Sequence, residues 1–583
     1  MINLSIDGRK VTVPEGTSVI EAAKQAGIKI PSLCYLKDLN EIGACRVCLV
    51  EIEGARGLAT SCTTKVSEGM VVRTNTQLAR EARRTVLELI ISNHPFDCLK
   101  CVRSGGCELQ QLAQDMGIRE IRYEGEKSHH ETDRSTFSLV RDPDKCVLCR
   151  RCVAVCAKVQ GIGVVNTQGR GFDTVVAPEF ELPMGSTACA MCGQCILVCP
   201  TGALSERDST GEVLRAISDP KKHVVIQTAP AVRVALGEEF AMEPGSLVTG
   251  KMVAALRRLG FDKVFDTDFT ADLTIIEEGT ELIRRALDGG LLPMVTSCSP
   301  GWIKFCEHNY PGHLGHLSTC KSPQQMFGAL AKTFYADKAG IDPASIYSVS
   351  AMPCTAKKFE CERPEMASSG YKDVDSVLTT REIARMIRLA GLDLNTIEPE
   401  EYDAPFGIST GAGVIFGATG GVMEAALRTV YELLTGQALE AVPEFLEARG
   451  MQGIKELSVK LPEKLDGPYA ALSGAELRFA VAHTLDNARK VMDLVASGSA
   501  PWHFIEIMAC PGGCIGGGGQ PIGTDLDRRL MRIAGTYEAD RGLALRKSHE
   551  NPAVNELYRD YLKEPLGHKS HELLHTEYTQ RGK

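Results

Sequence analysis

Eight cysteines in the first 200 residues fall into two copies of one spacing. Cys146, Cys149, Cys152 and Cys156 follow C-x2-C-x2-C-x3-C, and Cys189, Cys192, Cys195 and Cys199 repeat it with Pro200 behind. A cubane iron–sulfur cluster needs four thiolates at its corners. Two-residue loops wrap three of them, and the fourth comes from the sister motif. Cys146, Cys149 and Cys152 are therefore expected to share a cluster with Cys199, and Cys189, Cys192 and Cys195 with Cys156. Zinc competes for any C-x2-C pair, but the doubled eight-cysteine pattern favours iron–sulfur. Ala157 stands where a proline usually follows the first set; that position is not a ligand.

Upstream, Cys34, Cys45, Cys48 and Cys62 form C-x10-C-x2-C-x13-C, a loosened plant-type 2Fe–2S spacing. Four spread cysteines would also hold zinc; beside the ferredoxin repeat, 2Fe–2S is the better reading. Between the two lies "HPFDCLKCVRSGGC", in which His94 precedes Cys98, Cys101 and Cys107. Three cysteines need a fourth ligand with no other cysteine to spare nearby, which points to His94 over its bland role as a helix-end residue. A neutral imidazole there gives that 4Fe–4S cluster a different charge and potential from its neighbours.

Three segments further on carry the remaining chemistry: "TSCSPGW" from Thr296, "MPCTAKKFE" from Met352 and "MACPGGCIGGGGQP" from Met508. The last keeps two thiols among six glycines. Glycine loses the most conformational freedom on ordering, so such a run is expected where backbone must approach something closely.

The elements that position these groups are legible in outline. "NLSI" and "KVTV" around Asp7-Gly8 read as a hairpin. Ser18 and Glu21 have capping-box spacing for a helix ending at Gly27, and a second helix is expected over Gln77 to Ser92. Beyond residue 220, "HVVIQTAP", "LLPMVTSCSP" and "SIYSVSAMPC" read as buried strands alternating with helices, among them "DLTIIEEGTELIRRAL". This argues an α/β domain with a largely parallel sheet, whose ligands sit in loops beyond the strands' carboxyl ends. The chain is read as multidomain α+β. A β-grasp 2Fe–2S ferredoxin module spans 1–77 and a small His/Cys cluster module 78–125. A bacterial-type two-cluster ferredoxin module spans 126–210 and a large α/β domain 211–583.

Bulk properties bound the function. Net charge −9 and 24% charged residues argue against nucleic acid or an anionic membrane surface as partner. No apolar run approaches spanning length, and the N-terminus shows no secretory h-region. A cytoplasmic setting is expected, where 22 cysteines read as metal ligands rather than disulfides.

The three late motifs, following those cluster modules in that order, closely resemble the signatures of the iron-only, or FeFe, hydrogenases along essentially the whole chain. The resemblance implies reversible oxidation of dihydrogen to protons and electrons at an H-cluster. That cofactor is a 4Fe–4S cube joined through a cysteine sulfur to a two-iron subsite with carbon monoxide, cyanide and azadithiolate. It implies that Cys354, Cys510 and Cys514 ligate the cube, with Cys514 the bridge. Lys357 matches a cyanide-holding lysine, and Pro230, Ala231, Gln324, Met352 and Met508 match other cofactor contacts. Cys298 matches the proton-passing thiol, followed by Glu278, Ser318 and Glu281, with Arg285 at the surface. On charge pattern alone Glu278 and Glu281 would be a solvated helix face; only this register reverses that reading. The family's first motif usually has a second cysteine as cubane ligand, and here that position is Ser299, so Ser299, some other ligand beside it, or a rotated Cys298 completes the cube. With one 2Fe–2S and three accessory 4Fe–4S clusters, electrons would pass to ferredoxin or to a partner subunit binding flavin and NAD(P). No flavin or nicotinamide motif is evident; "STGAGVIFGATGG" from Ser409 fails the dinucleotide spacing and reads as scaffold near the cofactor.

Cys306, Cys320 and Cys361 match no role and read as buried structural thiols. Two rival readings stand beside this one. The front end also resembles the cluster-bearing subunit of respiratory NADH dehydrogenase and some formate dehydrogenases, which the late motifs deny. A hydrogen sensor or an iron–sulfur assembly scaffold on the same fold would be non-catalytic; Cys298, Lys357, Glu278 and Glu281 favour the enzyme.

Overall fold

In the computed structural model, which describes residues 1–437 and 450–582, the hairpin at Asp7-Gly8 is present. Strands β1 (Ile2–Ile6) and β2 (Arg9–Val13) pair antiparallel with Ile6 opposite Arg9. Asp7 and Gly8 both have positive φ, as a two-residue turn matching strand twist requires. Helix α1 (Val19–Gln25) follows, then β3 (Leu49–Ile52), β4 (Ala59–Thr60) and β5 (Val71–Arg73). The five strands form one sheet in the order β2-β1-β5-β3-β4. The capping box at α1 does not form: the Ser18 side chain makes no cap bond, and the Glu21 carboxylate accepts from the Tyr35 hydroxyl at 2.9 Å. Helix α2 (Gln77–Ser92) runs over the expected residues, its N-terminus capped by Thr76 accepting from the Ala79 N–H.

The chain groups into two compact units. The first contains residues 1–159, 163–187 and 198–205, the second 160–162, 188–197 and 206–583. Residues 438–449, inside the large domain expected over 211–583, and residue 583 lie outside the described residues.

The second unit holds two four-stranded sheets where the sequence suggested one. Strands β6 (His223–Thr228), β7 (Lys263–Asp266), β9 (Ile346–Met352) and β10 (Ser376–Thr379) make an all-parallel sheet in the order β7-β6-β9-β10. Strand β8 (Met294–Val295), from "LLPMVTSCSP", joins the other sheet with β11 (Ile454–Lys460), β12 (Glu476–His483) and β13 (Phe504–Met508), ordered β8-β13-β12-β11. Only the β11–β12 pair there is antiparallel. Helix α3 (Thr267–Leu287) is buried along most of its 21 residues, so its acidic side chains must find partners inside the protein. Helix α4 (Pro300–Asn309) starts with proline at its first position, where no N–H is needed. Helix α5 (Gly421–Thr435) follows the glycine-rich stretch from Ser409.

Candidate active site

The motif residues leave the carboxyl ends of four parallel strands. Pro230 follows β6, Cys298 and Ser299 follow β8, Cys354 follows β9, and Cys510 follows β13. Ligand loops belong at this edge of a parallel sheet. Here two sheets deliver them to one cavity of about 80 Å³. Cys298, Ser299, Cys354, Cys510 and Cys514 line it, with Lys357, Pro230, Gln324, Met352 and Met508. Ala231 does not; fully buried, it packs with Val234 and Ile515.

The glycines of the third motif serve mainly the protein itself. A Cβ on Gly517 would strike the Pro353 carbonyl, and one on Gly518 the carbonyl of Cys192. The loops bearing Cys354, Cys514 and Cys192 thus stack main chain on main chain. Thr355 Oγ1 donates to the Met191 carbonyl at 2.7 Å and Gln194 Nε2 to the Gly516 carbonyl at 2.8 Å. Cys192 itself lines the cavity.

Burial raises the thiol pKa values of Cys354, Cys510 and Cys514, the last to about 12. Lys357 is the nearby cation that opposes this for Cys354 and Cys514. Three desolvated sulfurs facing a cavity fit a cationic metal centre, which would ionise them. Lys357 Nζ donates to the Cys298 carbonyl (3.1 Å) and to Glu360 Oε2 (2.9 Å). Gln324 Nε2 also reaches Glu360, at 3.0 Å, while its buried Oε1 has no partner. Ser299 stands at the N-cap of α4 without capping it; its Oγ accepts the Ala509 N–H at 3.2 Å, beside Cys510.

On the other side of Cys298 lies a chain of exchangeable protons. Burial pushes the Cys298 thiol well up, and Glu278 is the next contributor. Glu278 is 3% exposed; burial and then Glu281 raise it to about 8, against hydrogen bonds from Ser318 and the Ser297 N–H. Ser318 Oγ donates to Glu281 Oε2 at 3.1 Å, and Arg285 Nη2 to Glu281 Oε1 at 2.5 Å. The solvated-face reading of these carboxylates does not describe them.

Sequence reasoning passed over Glu506, fully buried on β13. Its carboxylate accepts the Gly420 and Met423 N–H groups at 2.6 and 2.8 Å, and it contributes to raising Cys298, Glu278 and Cys514. One glutamate inside the apolar run "HFIEIM" was the available signal.

In the first unit, the Cys34, Cys45, Cys48 and Cys62 sulfurs converge. Cys34 meets Cys45 and Cys62, and Cys48 Sγ is 3.3 Å from Cys62 Sγ. Cys146, Cys149, Cys152 and Cys199 line one cavity, so the fourth thiol there comes from the sister motif. His94 follows α2 with its buried Nδ1 unpartnered, and Cys101 faces Cys107. Cys98 opens a short turn ending at Lys100. Cys156 lies in the first unit, on the turn Val155–Val159. Cys189, Cys192 and Cys195 lie together in the second.

Residues 222–518 match the family described as iron only hydrogenase large subunit, C-terminal domain. The chain is 52% identical over 594 residues, 100% of itself and 99% of the relative, to the NADP-reducing hydrogenase subunit HndD of Solidesulfovibrio fructosivorans. It belongs to the iron-only hydrogenase family. Iron hydrogenase 1 of Clostridium pasteurianum is 40% identical over 586 residues, covering 99% of this chain and 100% of the relative. A variant structure of the [FeFe]-hydrogenase HydA1 of Chlamydomonas reinhardtii matches with TM-score 0.58 and 44% identity, over 65% of this chain and 100% of that one. Residues 1–77 match a 2Fe-2S iron-sulfur cluster binding domain, and 83–122 the NADH-ubiquinone oxidoreductase-G iron-sulfur binding region. Residues 526–581 match the iron hydrogenase small subunit, a segment the sequence reading had not set apart. The cytosolic iron-sulfur assembly component 3 of Mus musculus is 30% identical over 67% of the chain, weaker support for a scaffold than the hydrogenases give an enzyme. The hydrogenase oxidises dihydrogen reversibly at an H-cluster, and electrons travel through accessory iron–sulfur clusters of 2Fe–2S and 4Fe–4S type. No described helix is long and apolar enough to cross a membrane.

Proposed function

We propose that this chain is the hydrogen-splitting subunit of an NAD(P)-linked assembly, with one 2Fe–2S and three accessory 4Fe–4S clusters beside the H-cluster. The buried run of Cys298, Glu278, Ser318 and Glu281 beside a cavity lined by three further thiols carries the catalytic half. Cys354, Cys510 and Cys514 would hold the cube, Cys514 also reaching the two-iron subsite, with Ser299 on the cube side. Bound there, the H-cluster would supply heterolytic cleavage of dihydrogen. Lys357, Gln324, Pro230, Met352 and Met508 shape the enclosure and keep water out. Cys298 Sγ passes the proton to Glu278, which holds a proton at neutral pH and so relays by accepting one while giving one to Ser318. Glu281 takes it next. Arg285 only donates hydrogen bonds, so its role is to position Glu281, from which the proton leaves to solvent.

Support for partner chains comes from the NADP-reducing relative and from the surface of the His94 module. Phe96, Leu99 and Val102, interleaved with Cys98 and Cys101, are 60, 99 and 57% exposed. Apolar side chains left open around a redox centre suit a docked electron acceptor. The test is cofactor load: matured chain should carry about 20 irons with infrared bands of metal-bound carbon monoxide and cyanide. Stoichiometric zinc without those bands would overturn the reading.

A further inference from the structure

Cys320 has no part in the arrangement above; it packs in a hydrophobic cluster with Met326, Leu573 and Leu574, yet polar groups also border its sulfur. It is fully buried, and Glu281 (7% exposed) and His575 (5%) are nearly so. A carboxylate oxygen of Glu281, the Cys320 sulfur and a ring nitrogen of His575 all lie within 4.8 Å of one another. The sulfur is 4.0 Å from Glu281 Oε2.

The scaffold holds these three in place. Cys320 and His575 face each other in an antiparallel bridge. Main-chain bonds on either side fix its register: Lys321 N–H to the Leu574 carbonyl and Thr576 N–H to the Thr319 carbonyl, both 2.8 Å. Glu281 comes from α3. His575 Nε2 is 3.1 Å from Glu277 Oε2, and Glu277 is itself fixed by the Tyr558 hydroxyl (2.5 Å) and the Leu566 N–H (2.8 Å). If Nε2 carries the proton to Glu277, Nδ1 presents its lone pair. Nδ1 now meets the Thr319 hydroxyl at 2.8 Å, and that hydroxyl has a second acceptor in Glu281 Oε2 at 3.1 Å. An ion at Nδ1 would turn the hydroxyl to Glu281 Oε2, which also accepts from Ser318 Oγ and the Thr319 N–H, both at 3.1 Å, so the ion must compete with these donors for that oxygen. A carboxylate behind a ligating histidine is the usual outer support of a metal site.

One sulfur, one imidazole nitrogen and one carboxylate oxygen are three of the four donors that zinc takes. They do not suit magnesium or calcium, which take oxygen alone. Formal charge agrees. Glu277, Glu281 and Arg285 sum to −1; Zn²⁺ with an ionised Cys320 adds +1, leaving the buried group neutral. Burial, then Glu281, Glu278 and Glu277, keep the resting thiol protonated, so zinc uptake must release a proton.

We propose that Glu281, Cys320 and His575 form an inhibitory zinc site that closes the proton route at Glu281. The closing half rests on the relay proposed above: the ion takes the Oε2 lone pair to which Ser318 donates.

The test uses matured enzyme in chelator-buffered Zn²⁺, with Cys320→Ser and His575→Gln as variants on separate segments. Iron content and infrared bands confirm that each variant is folded and loaded. The unmodified enzyme should take up one zinc whose X-ray absorption shows a sulfur neighbour at about 2.3 Å, and hydrogen-dependent dye reduction should fall ~10²-fold or more. Cys320→Ser should lose the sulfur signal, and both variants should resist zinc; magnesium should do nothing. Equal zinc uptake and inhibition in both variants, or absorption without sulfur, would overturn the site. Zinc bound with its sulfur signal while turnover is unchanged would overturn the closure and count against Glu281 as a relay. If no zinc binds while Glu281→Gln still slows turnover, the relay stands and the site falls.

Discussion

Ser299 stands immediately before α4, where serine usually caps the helix by accepting an amide proton from its first turn. It does not do so here; its Oγ takes the Ala509 N–H and lines the cavity. Cys298, one residue earlier, has Glu278 as its leading charged neighbour. This division argues that Cys298 moves protons and Ser299 faces the cube, against the alternative that Cys298 is a ligand. Cys298→Ala should therefore leave cluster spectra and infrared bands intact while turnover falls by about 10²–10⁴; loss of the cube in that variant would make Cys298 the ligand. Much of this site was legible from residue types. The thiols and Lys357 sit in motifs, and Glu278 and Glu281 share a helix face. Glu506 and the Cys320–His575 pair escaped because nothing local marks them. Glu506 gains its meaning from the Gly420 and Met423 amides, and His575 from a bridge 255 positions from Cys320.

Helix α2 was legible to the residue because Thr76 caps it in the ordinary way, whereas the Ser18–Glu21 spacing misled because Tyr35 claims the glutamate. A single parallel sheet was expected because both kinds of strand read alike in sequence. Pairing partners decide membership, and two-residue β8 pairs with β13 across some 200 positions. The third motif's glycines were read as clearance for a cofactor, but several are clearance for neighbouring main chain. Gly518 shows it best. A Cβ there would meet the Cys192 carbonyl and the backbone of Gly193, rigid atoms that cannot step aside as a side-chain end would. Gly518→Ala should cost about 1–3 kcal/mol by overpacking and loosen the contact between the Cys192 loop and the cavity. A lower thermal midpoint together with slower reoxidation of the H-cluster by external dye is the expected result. Gly542→Ala, with open space around its Cβ, is the control. Equal behaviour of the two variants would show that the close approach has no consequence.

For the whole molecule the open matter is where its electrons go, and the glycine-rich stretch from Ser409 bears on it directly. A dinucleotide site needs free amides at a helix N-terminus to take the pyrophosphate. At α5 the Gly420 and Met423 amides are already bonded to the Glu506 carboxylate, the Thr419 N–H goes to the Gly512 carbonyl, and the Gly417 carbonyl accepts from Ile515. The stretch braces the third motif, and a buried carboxylate sits where a phosphate would have to bind. The chain by itself should thus reduce an artificial dye with hydrogen and leave NAD(P) untouched. Adding a flavin- and NAD(P)-binding partner chain should confer nicotinamide reduction without changing the dye rate, since hydrogen cleavage and the proposed proton route lie within this chain. Nicotinamide reduction by the pure single chain would mean that the α5 argument has missed a site. Failure of every such partner to couple, with dye reduction intact, would instead favour ferredoxin as acceptor, and the exposed Phe96, Leu99 and Val102 around the His94 module would be the first place to look for its contact.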